Sequence, residues 1–121
     1  MTLKKLDIPL SICKIDDLSK IDFSHEFFFL SRTDEEISLV CETAAVPENT
    51  IEREDNWLAF RIQGVLDFSL TGILSNIAGI LAKENIGIFA VSTYNTDYIL
   101  TKAHNMDRAL QILQNAGYSK K

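Results

Sequence analysis

Hydrophobic and polar positions alternate regularly in the second half of the chain and predict a strand followed by a helix. In residues 57–65 every second position is apolar, as in a strand with one buried face. In residues 70–84 apolar side chains recur at steps of three and four, which predicts an amphipathic helix of about four turns. The sequence Asn85-Ile86-Gly87 is typical of a helix end and predicts where this helix stops.

The same pattern continues into a predicted hairpin and a second helix. Residues 88–93 and 98–101 are β-branched and aromatic, and the turn-forming residues 94–97 lie between them. Asn105 is the predicted N-cap of the last helix, and Gly117 is its predicted C′ residue. One further strand completes the order βαββαβ, in which two helices cover one face of an antiparallel sheet. We therefore expect an α+β, ferredoxin-like domain in residues 56–121.

The first half of the chain is rich in predicted strands and poor in predicted helix. Strands are expected at residues 9–15, 26–32 and 37–43, and the segments between them have room for only a turn or two of helix. Residues 47–56 contain five charged side chains and are interpreted as a linker. We therefore expect a strand-rich unit with its linker in residues 1–55, ahead of the ferredoxin-like domain.

A faint internal repeat connects the two halves. Four residues of the first half have the same relative spacing as four of the second half, each set lying in a predicted strand–turn–strand. Chance remains an alternative explanation, because the matching residues are few and of common types. If the repeat is real, the first half is a reduced copy of the second. The two sets are Ser31, Glu36, Ile37 and Leu39, and Ser92, Asp97, Tyr98 and Leu100.

Charge and composition exclude several classes of partner. The net charge is −5 and the lysines are scattered, so there is no basic stripe for nucleic acid. No apolar run approaches the roughly 20 residues of a membrane span, and the start lacks the apolar region of a signal peptide. Cys13 and Cys41 lie in apolar runs, which favours buried free thiols over a disulfide and predicts a cytoplasmic protein. The two histidines, His25 and His104, lack metal-ligand spacing, and no cofactor is expected.

Two segments have the residue types of a small-ligand site. Residues 64–74 lead from a strand into the start of a helix, where unpaired backbone N–H groups, including those around Ser69 and Thr71, attract a carboxylate. Residues 92–97 place four hydroxyls, an amide and a carboxylate in a predicted strand–turn–strand. A small zwitterion, such as a free amino acid, suits this combination. The alternative is ordinary capping and turn chemistry with no ligand.

The chain resembles the ACT-domain superfamily of small βαββαβ ligand-binding modules that regulate amino-acid metabolism. The resemblance lies in Ser69-Leu70-Thr71-Gly72-Ile73-Leu74 at the strand-to-helix turn and in Ile86-Gly87-Ile88 after the helix. It is closer to the branch that includes the cytosolic arginine sensors of animals, through residues 27–33, 67–72 and 92–98. The resemblance covers about residues 27–117 and implies that the first unit is a degenerate ACT-like unit.

In the arginine sensors the amino acid lies between two ACT units, which implies two sets of site residues here. The chain departs from the family at Ser69 and Leu70, where acidic residues are found in the usual ACT pattern and in the arginine-binding unit, respectively. Arginine is therefore not predicted as the ligand. One unit would contribute Asp67, Leu70, Gly72, Ile73, Thr93, Tyr94, Thr96 and Asp97, and the other Gly87 and Ile88.

These observations together predict a non-catalytic regulatory protein that binds an amino-acid effector. No nucleophile–base pair, carboxylate pair or metal constellation indicates an enzyme. Few polar residues occupy either face of the strand at 88–93, so a homodimer is expected to cover the exposed face or edge. The alternative is an interaction module with a vestigial pocket. A further alternative is that the chain supplies a missing regulatory domain to an enzyme in trans.

Overall fold

The computed structural model describes residues 1–63 and 72–121, which form two compact units. We call Met1–Asp7 together with Leu58–Lys121 the C-terminal unit, and Ile8–Trp57 the N-terminal unit. The strands β1 (Thr2–Ile15) and β4 (Thr50–Ile62) each contribute residues to both units. The first seven residues therefore group with the second half of the chain, and the other boundary lies between Trp57 and Leu58.

The C-terminal unit has the predicted order of strands and helices. After β4 come α1 (Ile73–Lys83), β5 (Phe89–Ser92), β6 (Asp97–Lys102), α2 (Ala103–Asn115) and the short β7 (Ser119–Lys120). Its strands are arranged β7-β1-β4-β6-β5. The neighbour of β4 is thus the beginning of β1 rather than β7, because β7 pairs in parallel with Thr2 and Leu3. The N-terminal residues fill the place that the last strand of a βαββαβ unit would take.

The two helices bury their apolar stripes against one face of this sheet. Ile77 and Leu81 of α1 and Met106 and Leu113 of α2 are buried, as the three- and four-residue spacing predicts. Leu3 of β1 lies in the same core and is fully buried. The other buried core residues are Phe60, Ile62, Ile86, Ile99, Ala109 and Leu110.

Both helix ends agree with the sequence, but one helix start does not. Asn85 follows α1 with φ of 59°, and Gly117 follows α2 with φ of 109°, a left-handed conformation that favours glycine. The prediction of Asn105 as an N-cap is wrong, because α2 begins at Ala103 with Lys102 at the N-cap. The last strand before the helix runs directly into it, so no turn with a capping side chain is needed.

The N-terminal unit contains four antiparallel strands in the order β2-β3-β1-β4, the order of a ferredoxin-like sheet. β2 (Phe28–Arg32) and β3 (Ile37–Glu42) form a hairpin, and β3 pairs with the second half of β1. Between strands there is only a three-residue 3-10 turn, Thr43–Ala45, in place of a second helix. The apolar core consists of Cys13, Ile15, Leu39 and Cys41, with Leu18, Ile21, Phe28, Leu30, Ile37 and Val46 packed against it.

The interpretation of residues 47–56 as a linker is wrong. Most of this segment belongs to β4, a strand of 13 residues. Its charged side chains Glu52, Arg53 and Glu54 are exposed, so they mark a solvated stretch of strand rather than a break in structure. The backbone partner is β1, and the Asp16 N–H donates to the Asn49 oxygen at 3.3 Å where the pair ends. A charge-rich strand is stable here because its backbone pairing does not depend on side-chain polarity.

The two hairpins of the chain repeat each other at a spacing of 60 residues. β3 and β6 have the same length and the same order of buried positions along the strand. Thr33 N–H donates to the Glu36 oxygen at 2.9 Å, and Thr93 N–H donates to the Thr96 oxygen at 2.8 Å. The match of residue types in the sequence has a spacing of 61 and is therefore one residue out of the structural register. The α+β, ferredoxin-like fold class is confirmed.

Candidate functional site

Three strand ends lie together at one end of the C-terminal unit's sheet, and α1 is the next element after β4 along the chain. β4 and β5 end there at Ile62 and Ser92, and β6 begins there at Asp97. The Thr96 hydroxyl, in a side chain only 8% exposed, donates to the Ile62 oxygen at 2.8 Å. This bond fastens the β5–β6 turn to the end of β4 and fixes the position of the predicted ligand-binding turn.

The turn is held by its own two threonines. Thr93 N–H and the Thr93 hydroxyl both donate to the Thr96 oxygen, at 2.8 and 3.0 Å. The Thr96 N–H donates back to the Thr93 hydroxyl at 3.4 Å. Tyr94 lies at the tip and is 80% exposed. These hydrogen bonds fix residues 93–97 in one polar turn, which we call the corner.

Asp97 lies at the inner end of this corner. It is paired in register with Ser92, and the Ser92 hydroxyl donates to Asp97 Oδ1. Because side chains alternate along β6, Asp97 lies on the same face as Ile99, whose side chain is in the core beneath the helices. One carboxylate oxygen of Asp97 therefore has a local partner on the helix side of the sheet.

The start of α1 is the second segment of the predicted ligand site. Gly72 occupies the N-cap with φ of 82° and has no side-chain cap, and its oxygen accepts from the Asn76 N–H at 2.8 Å. The first N–H groups of a helix lack intrahelical acceptors and attract negative charge. The helix begins at Ile73, later than the apolar periodicity predicts.

Hydrogen bonds connect α1 to the start of β7, and the first residues of the chain both to β7 and to the residue after β4. The Tyr118 hydroxyl donates to Asn76 Oδ1 at 2.6 Å. The next residue, Ser119, donates its N–H to the Met1 oxygen at 2.8 Å, and the Gln63 N–H donates to the Thr2 oxygen at 2.8 Å. No local pattern in the sequence indicates Tyr118, because its partner is 42 residues away.

The structure brings together some predicted site residues and separates others. Thr93, Tyr94, Thr96 and Asp97 lie together at one sheet end, and Gly72 and Ile73 lie at the start of α1. Gly87 and Ile88 precede β5 at its other end, about 16 Å along the strand from Thr93. Within the C-terminal unit they do not join the corner. Asp67, Ser69, Leu70 and Thr71 lie outside the described residues.

Arg61 of the C-terminal unit and the two thiols of the N-terminal unit already have hydrogen-bond partners. Arg61, on the sheet face away from the helices, donates to Gln63 Oε1 at 3.3 Å and to the Tyr98 hydroxyl at 3.4 Å. Cys13 and Cys41, in the other unit, are buried free thiols, as predicted. The hydrogen bond with Cys13, together with burial, raises the pKa of the Cys41 thiol and keeps it protonated.

The described residues offer no metal centre and no membrane helix. Among residues 1–63 and 72–121, no group of three His, Cys, Asp or Glu side chains could hold a metal ion. No helix in the same part of the chain is long and apolar enough to cross a bilayer.

Comparison with known proteins identifies the family of this chain. A model of the ACT domain matches residues 52–115, more than half of the chain. The chain is also similar in structure to protein Atu0741 from Agobacterium tumefaciens, with 30% identity, a TM-score of 0.86 and coverage of 99% of this chain and 91% of that one. The protein belongs to the ACT domain family. A search of curated proteins finds no significant match.

Two more distant neighbours have the same fold. One is the aspartate kinase of Clostridium acetobutylicum, an allosteric enzyme, with 15% identity, a TM-score of 0.66 and coverage of 94% of this chain but 33% of that one. The other is a proposed C-terminal regulatory domain of aspartate kinase from Porphyromonas gingivalis, with 15% identity and a TM-score of 0.56 over 93% and 92% of the two chains. ACT domains are regulatory, non-catalytic modules that bind small effectors and oligomerise.

Proposed function

We propose that this protein is a non-catalytic regulatory protein that binds an amino-acid effector at the corner of its C-terminal unit. The observation that supports the proposal is the turn at Thr93–Thr96, which is fastened to the end of β4 and is followed directly by the carboxylate of Asp97. The start of α1 at Gly72, the next element after β4, has no side-chain cap and offers free N–H groups. The two charged groups of an amino acid need such N–H groups and a carboxylate.

The effector's carboxylate would lie against the N–H groups around Leu70–Ile73, and its ammonium against Asp97 and nearby strand carbonyls. The effector's side chain would extend along Gly87 and Ile88 of a second unit, either in the same chain or in a partner. The separation of Gly87 and Ile88 from the corner within the C-terminal unit supports a contribution from elsewhere. Asp67, Ser69 and Thr71 complete the proposed set.

The neighbours support the class of effector without identifying it. Two of them belong to aspartate kinases, one called allosteric and the other a regulatory domain, and these properties are theirs. A closer evolutionary relationship to the arginine-sensor branch is part of our proposal. Because Ser69 and Leu70 replace acidic residues of related patterns, we do not propose arginine over other amino acids. A cytoplasmic location is also part of the proposal.

A thermal-shift screen of the common amino acids tests this function. A ligand present at 100 times its dissociation constant contributes about 2.7 kcal/mol to the stability of the folded state. In a domain of this size that contribution raises the melting temperature by several degrees. We expect such a shift with at least one amino acid. No shift with any of them contradicts the effector proposal.

We also propose that the protein is a homodimer, which would supply the second unit at the site. The short edge strand β5 has an unpaired side and carries the apolar residues Phe89 and Val91. Light scattering at high micromolar concentration should give twice the chain mass of 13.6 kDa. A particle of 13.6 kDa under these conditions contradicts the dimer.

The second candidate is a protein-interaction module with a vestigial pocket. The observation that favours it is the bond from the Ser92 hydroxyl to Asp97, which gives this carboxylate a purely local role. The exposed Tyr94 would then contact a protein partner. Substitution of Asp97, described in the Discussion, separates the two candidates.

A further inference from the structure

The two cysteines of the chain lie side by side in the core of the N-terminal unit. Cys13 on β1 is opposite Leu39, and Cys41 on β3 is opposite Ser11, so the cysteines are diagonal neighbours on one sheet face. Their thiols form a hydrogen bond in which Cys41 is the donor. The pair belongs to a different unit from the corner described above.

The surroundings of the pair favour the thiolate form of one sulfur. The hydrogen bond from Cys41 lowers the pKa of the Cys13 thiol in spite of its burial, and the nearby Arg53 guanidinium lowers it further. The thiolate, and not the thiol, is the nucleophile in peroxide and disulfide chemistry. A thiolate held beside a second thiol is the arrangement that oxidation converts into a disulfide.

A narrow pit leads from the surface of the unit to this pair. Its lining extends from the exposed Asp22 and the partly exposed His25 to the buried Cys41, and Ala45 of the 3-10 turn forms part of its wall. Its volume is about 10 Å³, which is room for about one water molecule. The two cysteines are only 2% and 4% exposed. A reagent close to water in size therefore reaches the sulfurs through small side-chain movements, whereas a bulky reagent does not.

We propose that Cys13 and Cys41 are a peroxide-sensitive dithiol, which hydrogen peroxide converts into an intramolecular disulfide between β1 and β3. A thiolate sulfur of the pair attacks one peroxide oxygen, the O–O bond breaks, and the leaving hydroxide takes up a proton to become water. The sulfenic acid then reacts with the other thiol: an S–S bond forms, the S–O bond breaks, and a second water leaves. In total the two thiols lose two electrons and two protons, and the peroxide is reduced to two waters.

The diagonal placement makes this disulfide reversible. Diagonal neighbours in an antiparallel pair are about 7–8 Å apart, slightly more than the roughly 4.4–6.8 Å between the Cα atoms of most disulfides. Formation of the bond therefore draws β1 and β3 together, and a disulfide under such strain is easily reduced. The pair responds to peroxide independently of effector binding at the corner, so each proposal can fail without the other.

The test exposes the reduced full-length protein to millimolar hydrogen peroxide at neutral pH. Alkylation of free thiols in denaturant and intact mass spectrometry then follow the reaction. We expect both thiols to be lost over minutes to hours, with a mass decrease of about 2 Da for one disulfide. The product should migrate as a single chain on a non-reducing gel and recover both thiols in dithiothreitol. Oxidised glutathione, which is too large for the pit, should react at least about tenfold more slowly.

Substitutions in the pit wall test the route to the sulfurs. Ala45→Leu fills the pit and should slow the loss of thiols by about 3-fold or more, since a packed wall excludes the oxidant. Ala44→Leu is the matched control, because Ala44 is exposed in the same turn and does not line the pit. Its rate should equal that of the parent within about 1.5-fold. Cys13→Ser and Cys41→Ser should each abolish the 2 Da loss, since the remaining thiol has no partner in its own chain.

A second pair of variants tests the electrostatic contribution and does not alter the cysteines or the pit. Arg53→Gln removes the nearby positive charge and should slow the oxidation by about 2- to 5-fold, because the thiolate fraction falls. Arg32→Gln makes the same change at an exposed position of β2. It should leave the rate unchanged within about 1.5-fold, since more distant surface charges are screened.

Three outcomes overturn the proposal. The first is the persistence of both free thiols in peroxide. The second is a disulfide that forms only between chains, or oxidation that dithiothreitol does not reverse. The third is an equal rate for Ala45→Leu and Ala44→Leu, or for Arg53→Gln and Arg32→Gln, which would show that neither the pit nor the charge beside the pair directs the reaction.

Discussion

At the scale of single residues, Asp97 decides between the two candidate functions. Its Oδ1 accepts from the Ser92 hydroxyl, a bond that turn formation alone explains. Its position directly after the fastened turn also suits an ammonium partner. The same carboxylate therefore serves either the hairpin alone or the hairpin and a ligand.

Replacing Asp97 by Asn distinguishes these roles. The change keeps the shape but removes the charge-assisted bond to an ammonium, which contributes about 1.5–3 kcal/mol. We expect the affinity for the amino acid found in the thermal screen to fall by about 10- to 150-fold. The unfolding free energy should change little, since Asn also suits a turn. Calorimetric titration and urea unfolding measure the two effects.

Ser92→Ala is the matched control for that experiment. It removes the local partner of Asp97 and leaves the carboxylate in place, so binding should persist. An unaltered dissociation constant in Asp97→Asn would remove Asp97 from the site and favour the interaction module.

At the scale of the elements, Tyr118 connects the end of the chain to the start of α1. Its hydroxyl bonds to Asn76 in the first turns of the helix, and it packs against the core of the C-terminal unit. Burial raises the pKa of Tyr118 above its ordinary value of 10.0. The folded protein therefore holds the phenolic proton more tightly than the unfolded chain does.

This difference predicts a specific loss of stability in alkali. A raised pKa in the folded state contributes stability that is present below about pH 10 and is lost as the pH rises through the folded-state value. Tyr118→Phe should cost about 0.5–1.5 kcal/mol at neutral pH through the lost hydrogen bond. The variant should also show a smaller fall in stability above pH 10 than the parent. Urea unfolding at several pH values measures both effects.

Tyr94→Phe serves as the comparison for Tyr118→Phe. Tyr94 is 80% exposed, so its substitution should change the unfolding free energy by less than about 0.5 kcal/mol at neutral pH. A Tyr118→Phe variant with the alkaline profile of the parent would show that burial of this phenol does not influence stability.

At the scale of the whole molecule, the first residues of the chain belong to the C-terminal unit. β1 begins between β7 and β4, and Leu3 is fully buried in the core with residues from both helices. The C-terminal unit therefore depends on Met1–Asp7, which lie fifty or more residues before Leu58, where the rest of this unit begins.

Leu3→Ala tests this dependence. Removing a buried leucine side chain costs roughly 2–5 kcal/mol, from lost transfer free energy and the cavity that remains. We expect a loss of this size in urea unfolding. Ile51→Ala, at a 58% exposed position of β4, should cost less than about 0.5 kcal/mol. A similarly small cost for Leu3→Ala would show that the start of β1 does not pack into this core.

Local periodicity alone was sufficient to predict most of the C-terminal unit. The alternation near Phe60 and the three- and four-residue spacing around Ile77 and Leu81 depend only on which side of a strand or helix faces the core. The turn-forming residues 94–97 likewise predicted the turn between β5 and β6 that the structure contains. Helix ends at Asn85 and Gly117 were also predictable, because left-handed backbone favours Asn and Gly.

Only the tertiary structure decided which strand lies beside β4 and which hydrogen bond attaches the turn at residues 93–97 to the end of β4. The pairing of Thr2 with the chain end, the Thr96 bond to Ile62 and the Tyr118 bond to Asn76 join residues distant in sequence. β4 was missed in part because its exposed charges resemble a linker, whereas its stability comes from backbone pairing with β1. Local sequence patterns indicate whether a residue is buried, but they do not indicate which distant residues it packs against.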